Sequence, residues 1–384
     1  MLYLALLPVL IWLYLVLARG GFWRVGRLLS TDEAVPGAAA RVVAVIPARN
    51  EAPVVGLAVQ SLLAQQFAGE LHLVVVDDAS TDGTTQVVLA AAAQAGAPGR
   101  VTVIRGSGPD PGWSGKVCAM ARGVAAATLL QPDYLLFTDA DIHHEPDNVA
   151  RLVANARQLN TDLLSSMVQL TVSNAAERWL IPAFVFFFLK LYPPAWIARR
   201  GAATAGAAGG CMLVRPEALV RSGGLDAIRA QIIDDCSLAR SIKRSGGSVR
   251  LGLTHKAHSL RPYGGVGQIG RMISRTAFNQ LGHSWLLLLG TLVGLVMTYL
   301  LPPLLLFSGS AAGVIGGACA WALMSLCYRP MVRFYGLNSL WTLTVPAAAA
   351  FYAGATVHSA WQFHRGRGGQ WKGRAQDRSP EGPA

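Results

Sequence analysis

Four apolar runs without one charged side chain constrain this chain more than any other feature. They are Leu2 to Leu17 at its start and Trp285 to Phe307, Ala311 to Cys327 and Leu340 to Val357 near its end. A helix needs about 20 apolar residues to cross a hydrocarbon core, so these runs predict membrane segments flanking a water-facing region. At 52% hydrophobic and 14% charged, the composition agrees with a polar domain joined to membrane helices. The first run is followed by Arg19, Arg24 and Arg27 and by no A-x-A-like cleavage site. Residues 1–19 therefore read as an uncleaved signal anchor that keeps the next domain cytoplasmic, on a multi-pass protein of the inner membrane. A cleaved signal peptide is the competing reading.

The late runs, within 284–360, pose a conflict. Three crossings there would leave the basic tail 361–384 outside, whereas Arg365, Arg367, Lys372 and Arg374 favour the inside. Pro302-Pro303 and the glycines from Gly313 to Gly317 mark places where a segment can bend or enter without crossing. A shorter apolar stretch near 180–198, Leu180 to Leu189, is closed by Lys190 and Pro193-Pro194. Ten residues cannot span a bilayer as a helix, which leaves an interfacial segment or a buried core helix.

Charge is divided along the chain. Residues 31–150 hold 13 acidic and 6 basic side chains, and residues 180–283 hold 14 basic and 4 acidic. Because the basic part runs straight into apolar segments, anionic lipid headgroups and a diphosphate explain it better than nucleic acid does. The five cysteines show no C-x-x-C spacing, so neither a zinc site nor a disulfide framework is implied.

Residues 20–40, rich in Ala, Pro and Gly from 31 onward, read as a linker into a domain over 41–283. Val42–Ile46, Leu71–Val76, Val101–Ile104 and Tyr134–Phe137 are short β-branched or apolar runs. Helix-like stretches lie between them at Val54–Gln66, Val87–Ala95 and Cys118–Leu130. This alternation predicts an α/β fold with a mostly parallel sheet covered on both faces. Ligands of such sheets bind at the carboxyl ends of the strands, where the polar clusters fall.

The chief cluster is Leu135-Leu136-Phe137-Thr138-Asp139-Ala140-Asp141. Residues i and i+2 of an extended chain face one side, so Asp139 and Asp141 can both meet one hard dication that also holds substrate phosphates. Taken alone, the same residues also suit a turn after a strand. Asp77, closing the second strand in Val74-Val75-Val76-Asp77-Asp78, can accept from a base or ribose, and Glu51 follows the first strand in Ile46-Pro47-Ala48-Arg49-Asn50-Glu51. His143 and His144 are either further metal contacts or loop residues. Lys116, in the Gly-rich segment Gly112-Trp113-Ser114-Gly115-Lys116, is a candidate phosphate or sugar contact.

Together these segments resemble family 2 glycosyltransferases of the GT-A fold over residues 40 to 280. Gly112 to Lys116, Ile181-Pro182-Ala183-Phe184 and Gly209-Gly210-Cys211-Met212-Leu213-Val214 are most similar to its hopene-associated (hopanoid-biosynthesis) subfamily. The resemblance implies that Glu51 and Asp77 contact the nucleoside and that Asp139 and Asp141 carry the metal, Mg²⁺ or Mn²⁺, against the donor diphosphate. It places the acceptor-activating base at Asp235, in Ile232-Ile233-Asp234-Asp235-Cys236, where the family pattern is Glu-Asp. Read without the resemblance, Asp235 is a cap for a helix over Cys236–Ser245. The family's Gln/Arg-x-x-Arg-Trp element matches Gln268-Ile269-Gly270-Arg271-Met272 except for its final Trp. Gln268, Arg271 and Arg275 share a helix face that can reach a diphosphate or anchor in lipid.

The sequence therefore predicts a membrane-bound inverting glycosyltransferase that moves a sugar from a nucleotide-sugar, read as UDP-linked, to a lipid acceptor. The hopanoid acceptor comes from the resemblance alone. The rivals are a processive polysaccharide synthase and a silent membrane scaffold that keeps the fold.

Overall fold

A computed structural model describes residues 2–25, 39–371 and 374–377. Most of the expected linker and part of the basic tail lie outside the described residues. Helix α1 (Leu2–Leu17) precedes the domain. The domain opens as β1 (Arg41–Ala48), α2 (Ala52–Leu63), β2 (Glu70–Asp78), α3 (Thr84–Gln94), β3 (Val101–Gly106), α4 (Gly115–Thr128) and β4 (Tyr134–Thr138). It continues through β5 (Ile142–His144), α5 (Asn148–Gln158), β6 (Leu163–Gln169), α6 (Ala175–Leu191), α7 (Pro194–Ile197), β7 (Cys211–Val214) and α8 (Pro216–Arg221). Next come α9 (Asp234–Arg244), β8 (Val249–Ser259), α10 (Val266–Ser274) and α11 (Ala277–Gln280).

Eight strands form one sheet in the order β3-β2-β1-β4-β7-β6-β8-β5. The first four run parallel, β7 is antiparallel to both its neighbours, and β5 is antiparallel to β8. Val43 and Val45 of β1 face one apolar layer while Val42, Ala44 and Ile46 face the other, so β1 is buried on both sides. Gly123 of α4 permits this packing, because a Cβ there would lie 2.4 Å from Val45 Cγ1. The parallel half sends β1, β2 and β4 to a common edge, where Asp77 closes β2 and Glu51 and Asp139 follow β1 and β4.

Two sequence expectations shift. The helix expected from Cys236 begins at Asp234, with Ile233 as its N-cap and no side-chain cap bond, so Asp235 lies in the first turn and does not cap it. The apolar stretch after 180 is part of a longer helix, α6, because Asn174 and Glu177 form a reciprocal capping box that starts the helix at Ala175, five residues upstream of Leu180. Most of α6 is buried, with Phe186 against Phe22 and Tyr328 and Phe187 against Tyr299 and Tyr352. It is the floor on which the apolar helices rest.

Those helices are α12 (Trp285–Leu295), continued by a π-turn at Val296–Leu300 into α13 (Leu301–Leu305), then α14 (Ala311–Phe334) and α15 (Val345–His364). A short β9 (Gly368–Trp371) and β10 (Arg374–Asp377) pair after them. Among the described residues, four helical segments are long and apolar enough to cross a membrane: 175–197, 285–305, 311–334 and 339–364. Helix α1 lies against α14 closely enough that a Cβ on Gly316 would meet the Ala5 carbonyl oxygen at 2.6 Å. Trp12 Nε1 donates to the Thr298 carbonyl at 2.8 Å. Helix α15 lies along the α/β domain: Phe351 packs on Trp179, Ser359 Oγ donates to the Ser274 carbonyl at 2.5 Å, and Phe363 packs on Phe278.

Candidate active site

At the carboxyl end of the parallel strands a cavity of about 610 Å³ gathers most of the residues singled out from the sequence. Glu51, Lys116, Asp139, Asp141, Gln268, Arg271 and Arg275 all line it, together with Asp234, Arg261 and Tyr263. Strand β4 delivers Asp139, and β8 ends just before Arg261. Lys116 sits one residue into α4, so it belongs to a helix start and not to the Gly-rich loop itself. Asp110 steadies that loop by accepting from Arg122 at 2.9 Å.

The Lys116 ammonium lies 2.9 Å from Asp139 Oδ1 and 3.2 Å from Asp234 Oδ2. Burial works against its charge, but Asp139, Asp234 and Asp235 outweigh that cost and raise its pKa above the ordinary lysine value. On the other wall the Arg261 guanidinium donates to the Glu51 carboxylate, and its Nε is 3.4 Å from Asp141 Oδ2. Each of the paired acids is thus already met by a cation. Both line the same cavity, and this all-oxygen locus has the charge and donor type that suit a hard dication.

Asp234 and Asp235 separate in role. Asp234 lines the cavity beside Lys116, whereas Asp235 Oδ2 accepts from the Gly209 amide at 2.8 Å and Oδ1 from the Cys236 amide at 2.7 Å. Burial first, and the neighbouring Asp234 second, push the Asp235 carboxyl up to about 6, against the pull of Lys116 and the two amides. A carboxyl poised there accepts a proton at neutral pH more readily than an ordinary aspartate.

Asp77 falls outside this cavity. Thr85 Oγ1 donates to it at 2.5 Å and the Ser80 amide at 2.9 Å, and it lines a separate 240 Å³ pocket with Arg105 and Gly106. The two pockets adjoin through Thr84, whose Oγ1 accepts from the Glu51 amide at 2.9 Å. Gln268 turns back to accept from the Gly264 amide at 2.8 Å, which fixes the turn that leads into α10.

His143 and His144 are strand residues, not loop. His144 is buried, and burial together with His143 and His258 lowers its pKa to about 3, so it is neutral. Its Nε2 contacts Thr138 Oγ1 at 2.9 Å and its Nδ1 the Asn148 amide nitrogen at 2.7 Å. Since Thr138 Oγ1 donates to the Gly210 carbonyl, His144 donates from Nε2 and accepts at Nδ1. This chain braces the residue that precedes Asp139.

Sequence reasoning missed Arg261, Tyr263, Asp234, Glu177 and the far wall. Glu177 is fully buried and accepts from the Tyr263 amide at 2.5 Å and the Ser173 amide at 2.6 Å, tying α6 to the Arg261–Tyr263 turn. His358 and Gln362 of α15, with Arg367 after it, complete the cavity. The run Leu260-Arg261-Pro262-Tyr263-Gly264-Gly265 is a turn signal after a strand of mixed apolar and polar residues; the α15 residues carry no local signal.

Residues 43–222 match the family model Glycosyl transferase family 2. This segment is a glycosyltransferase domain. The chain has the GT-A fold, and it is similar to a mannosyltransferase, PcManGT, from Pyrobaculum calidifontis, solved in complex with GDP-Man and Mn²⁺. That likeness has a TM-score of 0.56 at 20% identity and covers 94% of this chain and 99% of that one. A glucosyl-3-phosphoglycerate synthase from Mycobacterium tuberculosis, solved with Mn²⁺, UDP and phosphoglyceric acid, is more distant. Its TM-score is 0.42 at 17% identity, with 64% of this chain and 78% of that one covered. No curated protein matches the sequence.

Proposed function

We propose that this glycosyltransferase domain binds a nucleotide-sugar against Asp139 and Asp141 and transfers the sugar, with inversion, to the hydroxyl of a membrane lipid. The observation that carries the reading is the convergence on one cavity of Asp139, Asp141, Lys116 and Asp234 with Arg261, Arg271 and Arg275. Carboxylates and guanidinium groups gathered in one cavity suit a metal-bound diphosphate. A divalent ion, Mg²⁺ or Mn²⁺, held by Asp139 and Asp141 would neutralise charge on the diphosphate leaving group. The Mn²⁺ and GDP-Man in the complex of the Pyrobaculum protein support that choice.

Asp235 does not itself line the cavity but lies behind Asp234, its carboxylate accepting from the Gly209 and Cys236 amides. The family pattern assigns it the proton of the attacking hydroxyl, which requires it to turn toward the acceptor, while Asp234 anchors Lys116. A single base and no covalent nucleophile give inversion. Asp77, with Thr85 and Ser80 fixing its carboxylate, borders the nucleoside end, and Glu51 is positioned there by Arg261. Gln268 orders the turn below Arg271.

A lipid acceptor is favoured because His358 and Gln362 of the cavity lining come from α15, part of a helical segment apolar enough to sit in a membrane. The ends of α1, α14 and α15 and the start of α12 all lie on the domain side, through Arg19 on Trp196, Phe334 on His255 and Trp285 against His364. Crossing by α1, by α12 with α13 and by α14, with α15 lying along the domain, leaves domain and tail on one side. The arginines there, Arg19, Arg24, Arg329, Arg333, Arg365 and Arg367, make it the cytoplasmic side. That accommodates the basic tail, which three late crossings would not. A hopanoid acceptor agrees with the subfamily resemblance. Purified protein in lipid vesicles with labelled nucleotide-sugars and extracted membrane lipid tests the reading: metal-dependent label in the lipid fraction supports it, and no turnover of any donor overturns it.

A further inference from the structure

A second group of ionisable side chains lies outside the cavity lining, on the edge of the sheet. Strands β5 and β8 pair antiparallel, with His143 directly opposite His258. Directly opposed residues of such a pair point to the same face, and the two imidazole centroids are 4.7 Å apart. Glu145 follows at i+2 from His143 and so shares that face. Its amide donates to the Lys256 carbonyl at 2.8 Å, which continues the ladder past β5. Glu145 Oε1 is 3.8 Å from His258 Nδ1, and one ligand atom from each of the three residues lies within 4.8 Å of the others. All three are part-exposed, so an ion can reach them. Lys256, on the same face of β8, has its ammonium 3.1 Å from Asp147, which offsets its repulsion of a cation.

We propose that His143, Glu145 and His258 form a second metal site, of two imidazoles and one carboxylate, that takes Zn²⁺ or a similar late first-row dication and is distinct from the acid pair. The donor atoms set the choice. Imidazole nitrogen suits Zn²⁺, Ni²⁺ and Cu²⁺, whereas the all-oxygen set of Asp139 and Asp141 suits Mg²⁺ or Mn²⁺. Three protein ligands leave a fourth tetrahedral position for water. Strand β5 is the last strand of the sheet and, among the described residues, pairs with β8 and no other strand. An ion shared between the two strands ties the segment that starts at Asp141 to the strand that leads into Arg261. Those two residues already contact each other at 3.4 Å, so the ion is a staple behind the donor site.

The test uses the full-length protein in lipid nanodiscs, stripped with chelator and titrated with Zn²⁺ alone, with bound metal counted by mass spectrometry. The expected result is one equivalent that persists when Asp139→Asn and Asp141→Asn are combined. His258→Ala and His143→Ala should each weaken it at least about 100-fold. Co²⁺ should give the intense visible absorption of a tetrahedral site in the wild type and not in His258→Ala. Thermal unfolding of each metal-free variant shows whether it is folded, and Zn²⁺ should raise the midpoint of the wild type but not of the histidine variants. Zn²⁺ bound by folded His143→Ala and His258→Ala as tightly as by wild type, or lost only with the acid pair, overturns the proposal. So does the absence of binding in the wild type. The readout is metal binding, so failure of the transferase reading would not affect it.

Discussion

The Lys116 ammonium rests 2.9 Å from Asp139, so the first acid of the pair is held by a cation from the start of α4. Lys116 also lowers the pKa of Asp235, which burial and Asp234 push up to about 6. Replacing Lys116 with Met removes that pull, so the Asp235 pKa rises. The acid limb of the pH–rate profile of Lys116→Met should move to higher pH than that of wild type. An unmoved limb would disconnect Lys116 from the base.

In wild type the base must be ionised, so transfer should fall as pH drops through about 6, approaching tenfold per unit below it. Stability runs the other way for this group. A carboxyl whose folded pKa exceeds its unfolded value disfavours the folded state when ionised, and this cost diminishes as pH falls through about 6. Rate and unfolding measured over pH 4.5 to 8 separate the two, with the pH range an approximate bracket of that pKa.

Glu177 joins α6 to the cavity turn by hydrogen bonds to the Ser173 and Tyr263 amides. Glu177→Ala leaves those donors unpaired and should cost about 2–4 kcal/mol, read as a lower unfolding midpoint. Because Tyr263 and Arg261 border the donor, KM for the nucleotide-sugar should rise as well. A change in stability with unchanged KM would reduce Glu177 to a helix cap.

The proposed topology puts the turn between α13 and α14 and the segment after α15 on opposite sides of the bilayer. With the native cysteines replaced, Ser310→Cys should react with an impermeant maleimide in intact cells and Gly366→Cys only in inverted vesicles. Equal labelling of both from one side would require α15, or another segment, to be re-assigned.

The placement of the acid pair was legible because it is local, an apolar strand followed by two carboxylates at i and i+2; a turn would read the same, and the metal role came from the neighbouring segments and the resemblance. The α/β alternation was legible because it too is local. Adjacent residues in a helical turn point about 100° apart, so the sequence located the Asp234–Asp235 pair but could not tell which carboxylate faces the cavity. Arg261 meets Glu51 across 210 residues of chain, and His358 and Gln362 approach only because α15 lies along α10. Such contacts arise from packing and leave no periodic signal. The extent of α6 was missed because its capping box lies in the polar residues before the apolar stretch.

The central claim is that Asp139 belongs to the donor and metal while Asp235 serves the acceptor. It is tested most directly by measuring metal-dependent nucleotide-sugar binding and lipid transfer in parallel for wild type, Asp139→Asn and Asp235→Asn in lipid vesicles. The account predicts that Asp139→Asn loses metal-dependent donor binding and transfer together. Asp235→Asn should keep donor binding within about threefold while transfer drops by about 10²–10⁴-fold. Undiminished transfer by Asp235→Asn, or metal-dependent donor binding that survives Asp139→Asn, would contradict it.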